Sequence, residues 1–212
     1  MPDLTLASWR EQTAALHLAD TDLAAFRSGR DAMFRSHPQS PVEPGAFAGL
    51  TYFDGPSPFS CESDLHPATG SIEVDTGGPD GVLHYDRVGR LTTPWGDLTL
   101  FWLVAYGGGL FLPFRDPSPL TYGGGRYLTD TAKGTFGRGL SLLAGDRVRL
   151  DFDYAYNPSC AYDDRWACPL APQENWLDSP VTAGEQVYVP GASGSGGTTN
   201  TGPVCRDSRS SR

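Results

Sequence analysis

Two stretches of this chain carry side chains with the means to bind or to react. Residues 110–127 read LFLPFRDPSPLTYGGGRY: an apolar run delivers Arg115 and Asp116, a proline-rich loop follows, and Thr121, Tyr122 and three glycines lead to Arg126. Guanidinium groups fork onto carboxylates and phosphates, and glycine backbone N–H groups can approach an anion closely. Arg115, Tyr122 and Arg126 therefore suit a pocket for a small polar or anionic ligand. The competing reading pairs Arg115 and Arg126 with Asp116, Asp151 or Asp153 as structural ion pairs and makes the glycines turns. Neither triple-glycine run, 107–109 or 123–125, carries the lysine and hydroxyl of a phosphate-binding nucleotide loop.

The second stretch, residues 150–177, reads LDFDYAYNPSCAYDDRWACPLAPQENWL. Asn157 and Cys160 sit where it turns irregular, and Cys160 and Cys168 stand in a C-x7-C spacing. This spacing reads first as a packed thiol pair able to oxidise. Zinc knuckles place their cysteines about two to four residues apart, and here Cys61 or His66 would have to complete the set. A nucleophilic Cys160 needs a histidine to meet it, and His17, His37, His66 and His84 are all distant in sequence, although His37 and His84 could come to the mouth of a barrel. Asp151, Asp153, Asp163 and Asp164 lack calcium-loop spacing and read as solvated surface. Glu174 and Asn175 either pin backbone or act in a site.

Elements must bring these residues together. Ser8 and Glu11 form a capping box, which predicts a helix from there with Trp9, Leu16, Leu23, Phe26 and Met33 on one stripe, ending at His37-Pro38. Past Gly45 the period becomes strand-like. Strands are expected near Leu50–Phe53, Phe59–Leu65, Ser71–Val74, Val82–Tyr85, Val88–Thr92, Gly125–Leu128 and Arg147–Phe152, with Leu150, Phe152 and Tyr154 alternating until Asn157-Pro158 stops the last one. LTLFWLVAY at 98–106 is apolar on both faces and predicts a central strand, which Gly107–Gly109 turns back into Leu110–Phe114. The fold expected is mainly β: a single antiparallel meander closed or nearly closed into a barrel, with an amphipathic N-terminal helix and an irregular Pro/Cys-containing C-terminal segment. Residues 1–45 would form the helix and a connecting arm, 46–189 the barrel-like domain with its clamp, and 190–212 a disordered Gly/Ser-rich tail holding Cys205.

Composition excludes several functions. The net charge is -9 over 212 residues, which argues against nucleic acid and anionic lipid as partners. With 26 Gly and 18 Pro the chain favours many turns over long helices. Lys133 is its single lysine beside fifteen arginines, a bias that reads as base composition. No run approaches membrane-spanning length and the first residues do not pattern as a secretion signal, so a soluble cytoplasmic protein with four thiols is expected.

The order of motifs is also familiar. VGRL at 88–91, LFLPFRD at 110–116, TYGGGRYL at 121–128, LDFDYAYNPSCAY from 150 and CPLAPQEN from 168 resemble the bacterial and archaeal family catalogued as domain of unknown function 1684, over about Trp9 to Glu185. The resemblance puts Arg115, Asp116, Thr121, Tyr122, Gly123, Gly125, Arg126, Asn157, Pro158, Cys160, Cys168, Pro169, Pro172 and Asn175 on signature positions. The sequence departs from the pattern at Pro117–Leu120, and no activity is implied. Three readings follow. The first is a binding module for a small polar or anionic ligand, built from Arg115, Asp116, Tyr122, Arg126, Asn157 and Cys160, with no cofactor and no metal. The second is an enzyme using an Arg/Asp/Cys site, and the third an interaction scaffold.

Overall fold

A computed structural model describes residues 4–43, 45–78 and 80–191. Two helices open the chain, α1 (Leu4–Leu18) and α2 (Leu23–Ser36). The single helix expected from Ser8 is therefore two, beginning earlier. Ser8 lies within α1 and accepts a hydrogen bond from Gln12 Nε2, and the break falls at Asp20–Asp22, where Asp22 Oδ1 accepts from the Ala25 N–H at 2.7 Å and caps α2. The buried stripe of α2 is Phe26, Arg30 and Phe34, successive fourth residues on one face.

The strands form two antiparallel sheets. One has three strands in the order β1 (Ser60–Asp64), β9 (Arg147–Asp151), β8 (Leu140–Leu143). The other runs β2 (His66–Pro67), β4 (Val82–Thr93), β5 (Gly96–Leu103), β6 (Leu110–Phe114), β7 (Arg126–Asp130), with β3 (Ser71–Asp75) also paired to β4. Among the described residues neither sheet returns to its own first strand: the strands form two open sheets sharing one core rather than a single meander, and the expected closed or nearly closed barrel is not confirmed. Leu91, Leu98, Leu100, Leu112, Phe114 and Leu128 come from the larger sheet, and Leu140, Val148 and Leu150 from the smaller.

The 98–106 run does give a central strand, β5, paired on both sides. Val82–Tyr85 and Val88–Thr92 are one strand, β4, whose register shifts between Arg87 and Gly89. Leu50–Phe53 contributes an isolated bridge between Tyr52 and Glu185. The last expected strand stops at Asp151, earlier than Asn157-Pro158. Asp151 accepts the Asp153 N–H at 3.0 Å and winds Phe152–Tyr154 into a 3-10 turn. Asp153 is buried rather than solvated: its carboxylate accepts from Ser57 N–H at 2.7 Å and faces Arg27 at 3.9 Å. Beyond it the chain crosses the sheets as an irregular strap to residue 191. The tail expected over 190–212, with Cys205, lies almost wholly outside the described residues.

Candidate functional site

The two signature arginines go opposite ways. Arg126 starts β7 with its side chain fully buried. Its Nη2 meets Asp116 Oδ2 at 2.8 Å and the Val181 carbonyl at 2.9 Å, while Nη1 donates to the carbonyls of Ala183 at 2.5 Å and Glu185 at 3.1 Å. Burial lowers its pKa, and Asp116 beside it offsets that. Asp116 Oδ1 in turn accepts from the Ser118 and Val181 N–H groups at 3.1 and 3.2 Å. The pair is a staple that fixes residues 181–185 of the strap, satisfying carbonyls that no strand ladder reaches. Gly125 belongs to the same fitting. It has φ +97, and a Cβ there would lie 2.7 Å from the Phe114 carbonyl oxygen and 3.0 Å from the Ala171 Cβ.

Arg115 follows β6, one residue beyond Phe114, the strand partner of Arg126, and its surroundings differ. Its guanidinium lies over the Trp176 ring at 4.4 Å, and among the described residues it has no carboxylate partner. Backbone bonds from Arg115 N–H to Asn175 O and from Leu177 N–H to Arg115 O hold the two residues side by side. Trp176 is 47% exposed, with its indole N–H on the Ala171 carbonyl at 2.9 Å. From Ala171 the surface continues through Gly124, whose missing side chain makes room for Leu170 and the Tyr122 ring, to Gly123, which has open space above it. Tyr122 ends the path by donating its hydroxyl to Cys160 Sγ at 3.7 Å.

Asn157 is buried and belongs to a third group that the sequence reading missed. Its N–H donates to Glu185 Oε2 at 3.1 Å and its Nδ2 to the Gln186 carbonyl at 2.7 Å. Glu185, 1% exposed, also receives Arg30 Nη2 at 2.9 Å and the Tyr162 hydroxyl at 2.5 Å. Burial pushes the Glu185 carboxyl up, and Arg30, Tyr162 and the Asn157 N–H pull it back. A signal was there to be read: an arginine in the middle of an apolar helical stripe must find a buried partner. Asn175, left open between two roles, pins backbone. Its amide accepts from Thr99 N–H at 2.7 Å and donates to the carbonyls of Thr99 and Pro113 at 2.9 and 2.7 Å. Neighbouring Glu174 holds Arg87 through two bonds, at 2.7 and 3.0 Å.

The six residues expected at one opening thus divide. Arg115, Tyr122 and Cys160 are linked by successive contacts through Trp176, Ala171 and Gly124, whereas Asp116, Arg126 and Asn157 are buried and bond to residues 181–186. Cys168 is buried behind Cys160, whose N–H donates to Cys168 Sγ at 3.4 Å. The Cys160 thiol, the N–H groups of Cys160 and Ser159 and the charge of Lys133 bring the Cys168 pKa down to about 6 against its burial. Cys61 sits on β1 against the core, where burial pushes its thiol up. No group of three or more metal-ligating side chains occurs among the described residues. A hollow of about 340 Å³ lies elsewhere, between Pro38–Ser40 and Arg165–Trp166. No described helix is long and apolar enough to cross a membrane.

No curated protein matches the chain. Among solved structures it is similar to the uncharacterised protein from gene locus rrnAC0354 of Haloarcula marismortui, determined in solution by NMR. The two are 36% identical with a TM-score of 0.52, over 77% of this chain and 91% of that one. The model of the family described as protein of unknown function, DUF1684, matches residues 45–186, which hold every signature residue named above, and the chain belongs to that family.

Proposed function

We propose that this protein binds a small anionic ligand, bearing a carboxylate or a phosphate, on the path from Arg115 to Tyr122. One observation carries the reading: Arg115 lies beside a half-exposed indole with no carboxylate partner among the described residues, while both terminal nitrogens of Arg126 are taken up by Asp116 and the strap carbonyls. A guanidinium stacked on an aromatic face is held flat with its N–H edge outward, the geometry that meets two oxygens at once. Trp176 and Leu170 supply apolar contact for the rest of the ligand, and the open backbone at Gly123 lets it come close. Asp116, Arg126 and Asn157 act from beneath by holding the strap, and Tyr122 and Cys160 close the far end.

The experiment is an NMR titration of the 15N-labelled chain with inorganic phosphate and, separately, with benzoate. Saturable shifts are expected at the Trp176 indole N–H and the Gly123 and Gly124 amides, with the Arg115→Ala variant weakening the response about tenfold or more, as loss of a charge-assisted bidentate contact should. Shifts absent from these signals with both probes, or unchanged by Arg115→Ala, would sink the reading.

A further inference from the structure

We propose that Cys160 and Cys168 form a reversible dithiol–disulfide site closed by hydrogen peroxide. The site adjoins the ligand path at Cys160, but its chemistry does not rest on the ligand reading. Cys160 is the middle residue of a short 3-10 turn (Ser159–Ala161) that folds its N–H onto Cys168 Sγ at 3.4 Å. The two cysteines are therefore neighbours before any reaction. The Tyr122 hydroxyl rests on Cys160 at 3.7 Å, and the Tyr127 hydroxyl donates to the Pro169 carbonyl at 2.5 Å, anchoring the residue after Cys168.

Charge decides which sulfur acts first. Cys168 receives two backbone N–H groups and the field of Lys133, so it holds negative charge more readily than an ordinary thiol. Lys133 stands 3.7 Å from Asp130, and the hydroxyls of Tyr85, Tyr127 and Tyr156 also face Cys168. In a chain with one lysine and fifteen arginines, this position holds the lysine. Cys168 is 6% exposed, so the oxidant proposed is a small one, peroxide, rather than a bulky disulfide.

In the first step the Cys168 thiolate attacks one peroxide oxygen. An S–O bond forms, the O–O bond breaks, and hydroxide leaves and takes a proton from solvent to become water. In the second, the Cys160 sulfur attacks the Cys168 sulfenic acid. The S–S bond forms, the S–O bond breaks, and the departing hydroxyl leaves as a second water with the proton from Cys160. Two thiols have lost two electrons and the peroxide has gained them.

The test uses the full chain, fully reduced and then exposed to hydrogen peroxide, with every cysteine read separately by differential alkylation and peptide mass mapping. Expected are a loss of about 2 Da, one Cys160–Cys168 cross-linked peptide, an alkylatable Cys61, and full reversal by dithiothreitol. In Cys160→Ser the reaction stops earlier, and a dimedone adduct appears on Cys168. Lys133→Met moves the pH–rate midpoint upward and slows the acid side about threefold, which lost packing alone would not do. The proposal is overturned if peroxide leaves both thiols alkylatable, oxidises Cys61 first, or joins two chains instead. Because the wild-type map needs no substitution, a variant that fails to fold does not leave the question open.

Discussion

His17 shows how far a single residue's surroundings can displace its chemistry. It is 4% exposed at the end of α1, its Nδ1 hydrogen-bonded to the Thr13 carbonyl at 2.9 Å and its ring edge-on to Phe26. Burial, with Arg30 and Arg138 nearby, lowers its pKa from 6.5 to about 4, although the Thr13 bond works the other way. Above pH 6.5 the residue is neutral folded or unfolded. Between there and about 4 the unfolded chain takes up a proton that the folded one refuses, so stability falls with pH, and below about 4 the loss is complete. The expected total is about 3 kcal/mol. Urea unfolding of wild type and His17→Phe at pH 7 and pH 4.5 measures it: wild type should lose about 2 kcal/mol more than the variant across that interval. Equal losses would mean that His17 is protonated in the folded state.

At the scale of elements, Asn175 stands in for backbone. Strands β5 and β6 pair directly at Phe101–Phe111 and Trp102–Leu110, and continuing that register brings Thr99 opposite Pro113, which has no N–H to give. The Asn175 amide fills the gap with its three bonds, so one side chain extends a ladder that proline interrupts. Asn175→Ala leaves those buried groups without their partner and should cost about 3 kcal/mol or more, read as a lower urea midpoint at unchanged slope. A cost under about 1 kcal/mol would show that water replaces the amide. The same stretch shows why the sequence was legible in part. Alternation, turn glycines and the apolar 98–106 run mark β3 to β6 because these signals are local. The two-residue β2 takes its pairing from β4, more than twenty residues on, while β8 and the early end of β9 were missed for local reasons: β8 is only four residues long, and Asp151 winds the chain into a 3-10 turn. Site residues followed the same division. All six candidates were expected at one opening, because nothing local told Arg126 from Arg115. Burial is a property of the partner segment, here residues 181–185, more than fifty positions away.

Across the whole molecule, Glu185 touches both buried arginines: its carbonyl accepts from Arg126 and its carboxylate from Arg30. Gly184, with φ +73, lets the strap pass where a Cβ would come within 2.5 Å of the Phe152 carbonyl oxygen. Helix α2, the larger sheet and the strap are thus joined through one side chain and its own backbone. The family match begins at residue 45 and so carries Glu185 without Arg30. A shortened chain starting at residue 46 would keep the Tyr162 and Asn157 hydrogen bonds to Glu185 but lose its cationic partner, and its preference at position 185 should reverse. Glu185→Leu is expected to destabilise the intact chain by about 3 kcal/mol and to stabilise the shortened one, with thermal unfolding of all four proteins as the measurement. A helix outside the matched span would then decide which residue a position deep within it can tolerate.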